Sequence, residues 1–540
     1  MKLMQNKKLK FTTIASFLKK NLANVTILAI LVSVLVIDFN LKYWNHPKRV
    51  IEWDVINYYS YLPAIFIDKD LSLAFWPKNQ EKYSDFYWPI KTPTGKYAIV
   101  TTMGMSFLYA PFFFTAHIVT PFTDFEPNGF TVPYKFALMM ASLFYLILGL
   151  FVLKKILENY FNQYVIALTL LSIGIGTNLL IYTTYHDAPM SHVFNFALIT
   201  VFLYYVIKWH KSPTLKYTIT IGLLSGLIAL IRPTNVLVLL ILFFYGIESL
   251  KGIWPRILFF LENYKKVLIM IISFVAVWIP QFIYWKYISG QFFYDTYGEL
   301  GGRFFFNNPQ ILDFLFSYRK GWLLYTPIMI FALAGIPVLY FRMRQFFMPI
   351  LIYLIVMIYA LSSWWSWWFG GGYGMRALID LYGILAIPFA AFLYYSYKQK
   401  KIFGYLSAAI VIGLIWFSTF QSRQYVNGAI HYVGMTKEAY WETFMKPYPT
   451  EKYWSYIRFP DYDSARIGVY KVVDPKNMPR PKPEISPEDA LKGIEKQIWQ
   501  NKPQLILIRE KAEARGISVD SMITLDAMWI YKKWEKKRRW

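Results

Sequence analysis

Two carboxylates one residue apart, Glu52 and Asp54, stand in the segment RVIEWDVINYYSYLPAIF (49–66), just past the first long apolar run of the chain. A carboxylate in that place can take the proton of an attacking hydroxyl or amine. Its basicity is tunable, because burial beside Trp53 and Tyr58 raises a carboxyl pKa and a nearby cation lowers it. The same acids equally suit a plainer role, solvating a helix end or pairing with Lys48 and Arg49. Acid–base work is best placed here because residues 40–130 hold eight Asp and Glu, whereas 131–290 hold only Glu158, Asp187, Glu248 and Glu262.

Cations that could meet a phosphate come next. Lys91 and Lys96 flank a Pro–Thr–Gly turn in KTPTGKYAIVTTMGMSFLYAPFF, where a lysine either binds a lipid phosphate or snorkels to ordinary headgroups. Arginine at membrane depth is costly, so Arg232, Arg303, Arg319 and Arg376 are candidates to face a polar cavity or hold a phosphate. Three segments are unusually polar for their surroundings: YHDAPMSH (185–192), GELGGRFFFNNPQILDFLFSYRKGW (298–322) and SSWWSWWFGGGYGMRALID (362–380). Trp367 and Trp368, with Trp364 and Trp365, suit an interfacial aromatic belt, and their faces also suit sugar rings. His186, Asp187 and His192 lack a strong zinc spacing and read as cavity-lining hydrogen-bonding groups, so no metal site is expected.

The elements that must position these residues are membrane spans. The chain has 540 residues, 56% hydrophobic and 20% aromatic but only 16% charged, a balance no soluble fold can bury. Runs at 23–39, 134–153, 164–181, 191–207, 233–247, 267–285, 322–341, 347–361 and 402–420 approach or reach the ~20 apolar residues that cross a bilayer. With the spans ending near 231 and following 380, they make an all-α polytopic bundle of about eleven transmembrane helices. The net charge of +25 falls in short clusters between spans, which is an orientation signal rather than a nucleic-acid surface. A cytoplasmic, lysine-rich amino terminus ahead of a retained signal anchor puts residues 40–130 outside. Lys154/Lys155, Lys208/Lys211/Lys216, Lys251/Arg256/Lys265/Lys266, Arg342/Arg344 and Lys398/Lys400/Lys401 then all fall inside. This bookkeeping requires that 103–119 lie along the interface instead of crossing. Residues 1–420 form the membrane domain, and 421–540 are expected to form a small outer domain. Cysteine is absent, which excludes disulfides and thiol chemistry. No P-loop, dinucleotide fingerprint or serine hydrolase elbow is present.

These residues resemble the GT-C superfamily of integral-membrane glycosyltransferases, in particular protein O-mannosyltransferases and lipid A aminoarabinose transferases. The resemblance runs over roughly 20–420. It is carried by EWD (52–54) after the first span, the KTPTGKY segment leading into YAPFFF, the GLIALIRP span end (226–233), FSYRKGWLLYTP (316–327) and WWFGGGYGMRALID (367–380). It implies transfer of one sugar, with inversion, from a polyprenyl-phosphate donor to a glycolipid, glycan or protein acceptor outside the cytoplasm. By the same resemblance Asp54 is the general base, Lys96 approaches the donor phosphate, and no metal or other cofactor is required. Protein O-mannosyltransferases typically carry adjacent acids here, whereas Trp53 separates them in this chain, so Glu52 can share or take the role. The implied setting is a multi-pass protein of the plasma (inner) membrane with its active site on the extracytoplasmic face.

Three other functions share these features. A lipid-sugar flippase would use the arginines along a path, although transporters bind near the midplane through broken helices and an outer loop of this size is not expected of one. A non-catalytic envelope assembly protein would use its tail for partners. A polymerase or ligase of pyrophosphate-linked glycans would differ in donor and in requiring a metal.

Overall fold

The computed structural model describes residues 20–77, 86–474, 487–500 and 502–538. The lysine-rich stretch before Lys20 and the proline-rich stretch over 475–486 lie outside the described residues. The chain divides into two compact units, Met1–Val473 and Asp474–Trp540. Residues 421–473 thus pack within the first unit.

The first unit is an all-α bundle of a polytopic membrane protein. Its principal helices are α1 (Leu22–Leu41), the short α2 (Asp54–Tyr59), α3 (Gly104–Val119), α4 (Val132–Leu157), α5 (Gln163–Gly174) and α6 (Ser191–Lys211). They are followed by α7 (Leu215–Ile231), α8 (Tyr264–Ser289), α9 (Ile330–Arg342), α10 (Arg344–Ser362), α11 (Tyr382–Gln399) and α12 (Lys401–Val426). Among the described residues eight helices are long and apolar enough to cross a bilayer, nine if the pair Gln163–Gly174 and Asn178–Thr184, bent by 58°, is one span. Three of the expected spans are met by shorter apolar helices, Leu215–Ile231, Pro233–Phe244 and Pro327–Arg342.

Local chemistry starts and stops these helices. Asn162 caps α5 by accepting from the backbone N–H groups of Tyr164 and Val165, both at 3.1 Å. Pro133 occupies the first turn of α4, where its missing N–H costs nothing. Lys154 and Lys155 close α4, and Lys208, His210 and Lys211 close α6, against the negative ends of the helix dipoles. The two most enclosed spans are Ser191–Lys211 and Arg376–Gln399, 78% and 89% buried, whereas Lys401–Val426 is only 22% buried and lies at the periphery. Close helix approach uses small residues: a Cβ at Gly226 of α7 would stand 2.7 Å from the Phe274 carbonyl oxygen of α8.

The segment 103–119 is long and apolar enough, with the turn that follows it, to be a span, but both its ends meet the same end of the bundle. Gly104 packs on the backbone of Leu230 and Ile231 at the close of α7. His117 Nδ1 lies 2.5 Å from the Tyr134 hydroxyl at the start of α4. That end also carries the loop after α1, since Lys135 Nζ donates to the carbonyls of His46 and Pro47 at 2.8 and 2.6 Å.

Two small antiparallel ribbons complete this end. β1 (Ile90–Lys91) pairs with β2 (Tyr97–Ala98), and β3 (Phe459–Pro460) pairs with β4 (Val472–Val473). Among its described residues the second unit holds three helices, Pro487–Gln500, Lys502–Arg515 and Val519–Arg538, around a small core that includes Ile498, Ile508, Met522 and Ile523.

Candidate functional site

Strained backbone brackets the two acids. Val50 and Trp53 have φ of 77° and 51°, a conformation disfavoured for bulky and especially β-branched side chains. Such strain persists only where surrounding packing enforces it and concentrates at functional positions. Trp53 is the residue before α2, so Asp54 opens that helix, where the free N–H groups and the dipole favour a carboxylate. The Trp53 ring, 62% exposed, meets Trp88 edge-to-face at 5.6 Å.

Asp54 Oδ2 accepts a hydrogen bond from Arg376 Nη2 at 3.0 Å, and the Asp54 side chain is 45% exposed. Arg376 Nη1 rests on Met190 Sδ at 3.0 Å. Glu52 points elsewhere: Oε1 lies 2.5 Å from His186 Nδ1, at an angle that makes no hydrogen bond, and 3.5 Å from Arg49. Its side chain is only 15% exposed. Of the two acids Asp54 therefore keeps an accessible oxygen, while Glu52 is enclosed by His186 and Arg49.

Asp187 stands 3.5 Å from His186 Nδ1 and is buried. Burial pushes its carboxyl up, aided by Glu52 and Asp54, against the lowering by His186 and Arg376. His192 faces away from this group. Its Nδ1 lies 3.3 Å from Asp380 Oδ1 and 3.2 Å from Arg232 Nη1. The two histidines thus serve different carboxylates, and among the described residues no group of three or more His, Asp or Glu is arranged to hold a metal.

Arg232 follows the last residue of α7 in an extended conformation. Its guanidinium lies 3.6 Å from Asp380 Oδ2 and over the Phe369 ring at 5.6 Å. Arg376 and Asp380 share one 3₁₀ turn, Arg376–Leu381, so the Asp54–Arg376 and Arg232–Asp380 pairs stand at one locus; Tyr58 beside them is buried, and burial raises its phenol. The contributing segments are those after α1, before α6, after α7 and before α11, so the locus lies at one end of the bundle.

The remaining cations divide. Arg319 Nη1 donates to the Val433 carbonyl at 2.6 Å, and burial lowers the guanidinium to about 10. Lys96 Nζ donates to the Tyr287 carbonyl at 2.8 Å and sits 3.6 Å over that ring, fixing the β1–β2 turn to the end of α8. Lys91 is exposed on β1, opposite Tyr97. Arg303 is exposed, with its carbonyl accepting from the Trp365 N–H at 3.0 Å. None of these four is brought into the contacts that join Asp54, Arg376, Arg232 and Asp380.

The tryptophans differ from a lipid-facing belt. Trp367 and Trp368 are 5% and 3% exposed. Trp368 packs edge-on to Tyr462 and Tyr470 at 5.5 and 6.4 Å and lies under Arg319. The segment after α12 covers them, and its aromatic residues supply what the sequence reading assigned to lipid.

Several groups of the locus were not singled out from sequence. Lys320 is buried and donates to the carbonyls of Gly372 and Tyr432, strapping the glycine-rich loop before Arg376 to the segment after α12. Burial holds its amine well below the usual lysine range, with Arg376 adding to the effect. Asp380, Asn195 and Asn235 form a wholly buried polar group. Lys320 and Asp380 both lie inside the polar segments quoted above; a rule that buried charge marks function would have found them had it covered lysine and aspartate as well as arginine.

No family model matches the sequence, and no curated protein matches it. Among solved structures, the chain is similar to the archaeal oligosaccharyltransferase AglB from Archaeoglobus fulgidus in complex with an inhibitory peptide and a dolichol-phosphate. That similarity has 12% identity and a TM-score of 0.40 over 79% of this chain and 60% of the other. It is also similar to the Archaeoglobus fulgidus oligosaccharyltransferase in the apo form, with 13% identity and a TM-score of 0.42 over 85% and 61% of the two chains. The chain spans about three fifths of the length of these neighbours.

Proposed function

We propose that this protein is a membrane glycosyltransferase that moves a sugar from a polyprenyl-phosphate donor to an extracytoplasmic acceptor, with inversion at the anomeric carbon. The observation that carries the reading is the half-exposed Asp54 carboxylate bonded through one oxygen to Arg376, with a second arginine, Arg232, paired to Asp380 on the same turn as Arg376. Bond-making and bond-breaking need different groups. Asp54 takes the proton of the acceptor O–H or N–H as that atom attacks the anomeric carbon. The bond from that carbon to the phosphate oxygen breaks, and its electron pair leaves with the polyprenyl phosphate.

The donor phosphodiester carries one negative charge, and the departing monoester gains another. A positioned cation that meets this growing charge stabilises the transition state more than the ground state. Arg376 is committed to Asp54, which leaves Arg232, paired to Asp380 on the same turn, as the phosphate ligand of this reading. The plasma (inner) membrane, the extracytoplasmic site, a glycolipid, glycan or protein acceptor and independence of a metal belong to the same proposal. So does an outer location for 421–540.

The test is reconstitution of the whole protein in liposomes with matched sugar donors on polyprenyl monophosphate and polyprenyl pyrophosphate, each with and without a chelator. Turnover of the monophosphate donor, unchanged by the chelator, is expected. Turnover confined to the pyrophosphate donor, or abolished by chelation, would replace this reading with a pyrophosphate-dependent glycan transferase.

A further inference from the structure

Asp380 takes no part in the reaction as proposed, yet it is completely buried and four polar side chains converge on it. It lies on the same 3₁₀ turn as Arg376, Arg376–Leu381. Its Oδ2 accepts from Asn235 Nδ2 at 2.7 Å and from Asn195 Nδ2 at 3.1 Å. Arg232 Nη1 is 3.6 Å from the same oxygen, beyond hydrogen-bond length but well within ion-pair range. His192 Nδ1 lies between the two, 3.3 Å from Asp380 Oδ1 and 3.2 Å from Arg232 Nη1. One ring nitrogen cannot donate to Asp380 and accept from Arg232 at once. With its proton on Nδ1 it donates to Asp380, and Arg232 is then held by the charge of Asp380 and the face of the Phe369 ring.

The two arginines of the locus are therefore bound differently. Arg376 spends a donor on its carboxylate at 3.0 Å, whereas the carboxylate beside Arg232 is satisfied by two neutral amides. We propose that Asp380 is a positioning residue for donor recognition. It fixes the Arg232 guanidinium by charge, while Asn195 and Asn235 occupy the carboxylate and leave the arginine's N–H groups free for a lipid-linked phosphate. One short turn then sets both cations, carrying Arg376 itself and holding Arg232 through Asp380. This inference rests on the phosphate-donor reading above, but its test does not need turnover.

The test measures binding of a short-chain polyprenyl phosphate to the reconstituted wild type and to Asp380→Asn, Arg232→Ala and the double variant, with donor and acceptor KM values measured in parallel. Asp380→Asn and Arg232→Ala should each weaken phosphate-lipid binding and raise donor KM about tenfold or more, with acceptor KM nearly unchanged. The double variant should lose no more than Arg232→Ala, because the two residues act as one unit. Losses that multiply in the double variant, or donor and acceptor KM values that rise together, would overturn the assignment and leave Asp380 a merely structural group. If Asp380→Asn does not fold, Asn235→Ala replaces it in the same cycle, with a smaller effect of the same kind expected. A wild type that binds the phosphate lipid but transfers no sugar contradicts the transferase reading and leaves the binding cycle to decide this one. A wild type that does not bind it overturns this inference.

Discussion

Asp54→Asn is expected to lower kcat by about a hundred- to ten-thousandfold, the usual contribution of a positioned general base, in a protein that still folds and still binds donor. Asparagine keeps the shape of the side chain and can accept from Arg376 through its oxygen, but it takes no proton. Because the position is 45% exposed, the change buries no new unsatisfied group and costs little stability. Glu52→Gln separates the two acids. Glu52 is 15% exposed and lies against His186 and Arg49, so its loss should disturb the loop after α1 and reduce kcat far less. Single-turnover sugar transfer in liposomes, with donor binding measured alongside, checks both. A Glu52→Gln protein that is inactive beside an active Asp54→Asn protein would move the base to Glu52.

The second large effect is expected at Arg376. Replacing it with Ala removes the 3.0 Å bond that orients Asp54 and the 3.0 Å contact of Arg376 Nη1 with Met190 Sδ. It also removes one of the two groups, after His186, that oppose the upward shift of the buried Asp187 carboxyl. A misplaced base costs about a hundredfold in rate for a displacement near 1 Å, and a loss of that order is expected in kcat, with donor KM moving much less. Arg376→Lys should recover only part of it, since an ammonium offers no planar fork to reach Asp54 and Met190 together. Full activity of Arg376→Lys, or a loss confined to donor KM, would show that Arg376 serves the phosphate and not the base.

How much of this was legible in the sequence follows from what each feature depends on. Spans depend on local apolar composition, so α1, α4, α6, α8, α10 and α12 fall where the apolar runs fall. The charge bookkeeping calls for a non-crossing helix over 103–119, whereas by length and composition Gly104–Phe122 also qualifies as a span. The partners of the site were not legible. Asp54 and Arg376 are 322 residues apart, and no periodicity links them. The polar groups around Asp380 come from α6, the turn after α7 and the turn before α11.

Treating arginines as candidates individually left Arg232, Arg303, Arg319 and Arg376 equivalent. Only their partners separate them: a carboxylate for Arg376 and Arg232, a backbone carbonyl for Arg319 and an exposed place for Arg303. The tryptophan run misled for the complementary reason. A belt residue and a core residue have the same composition, and what buries Trp368 is Tyr462 and Tyr470, supplied about a hundred residues later by a segment with no recognisable pattern.

The most direct measurement of the central claim is the anomeric configuration of the transferred sugar, determined by NMR on product made by the wild-type protein from a donor of defined anomer. A single displacement with Asp54 as base predicts complete inversion. Retention would require a covalent sugar–enzyme intermediate and a nucleophile in place of a base, and would contradict the role given to Asp54.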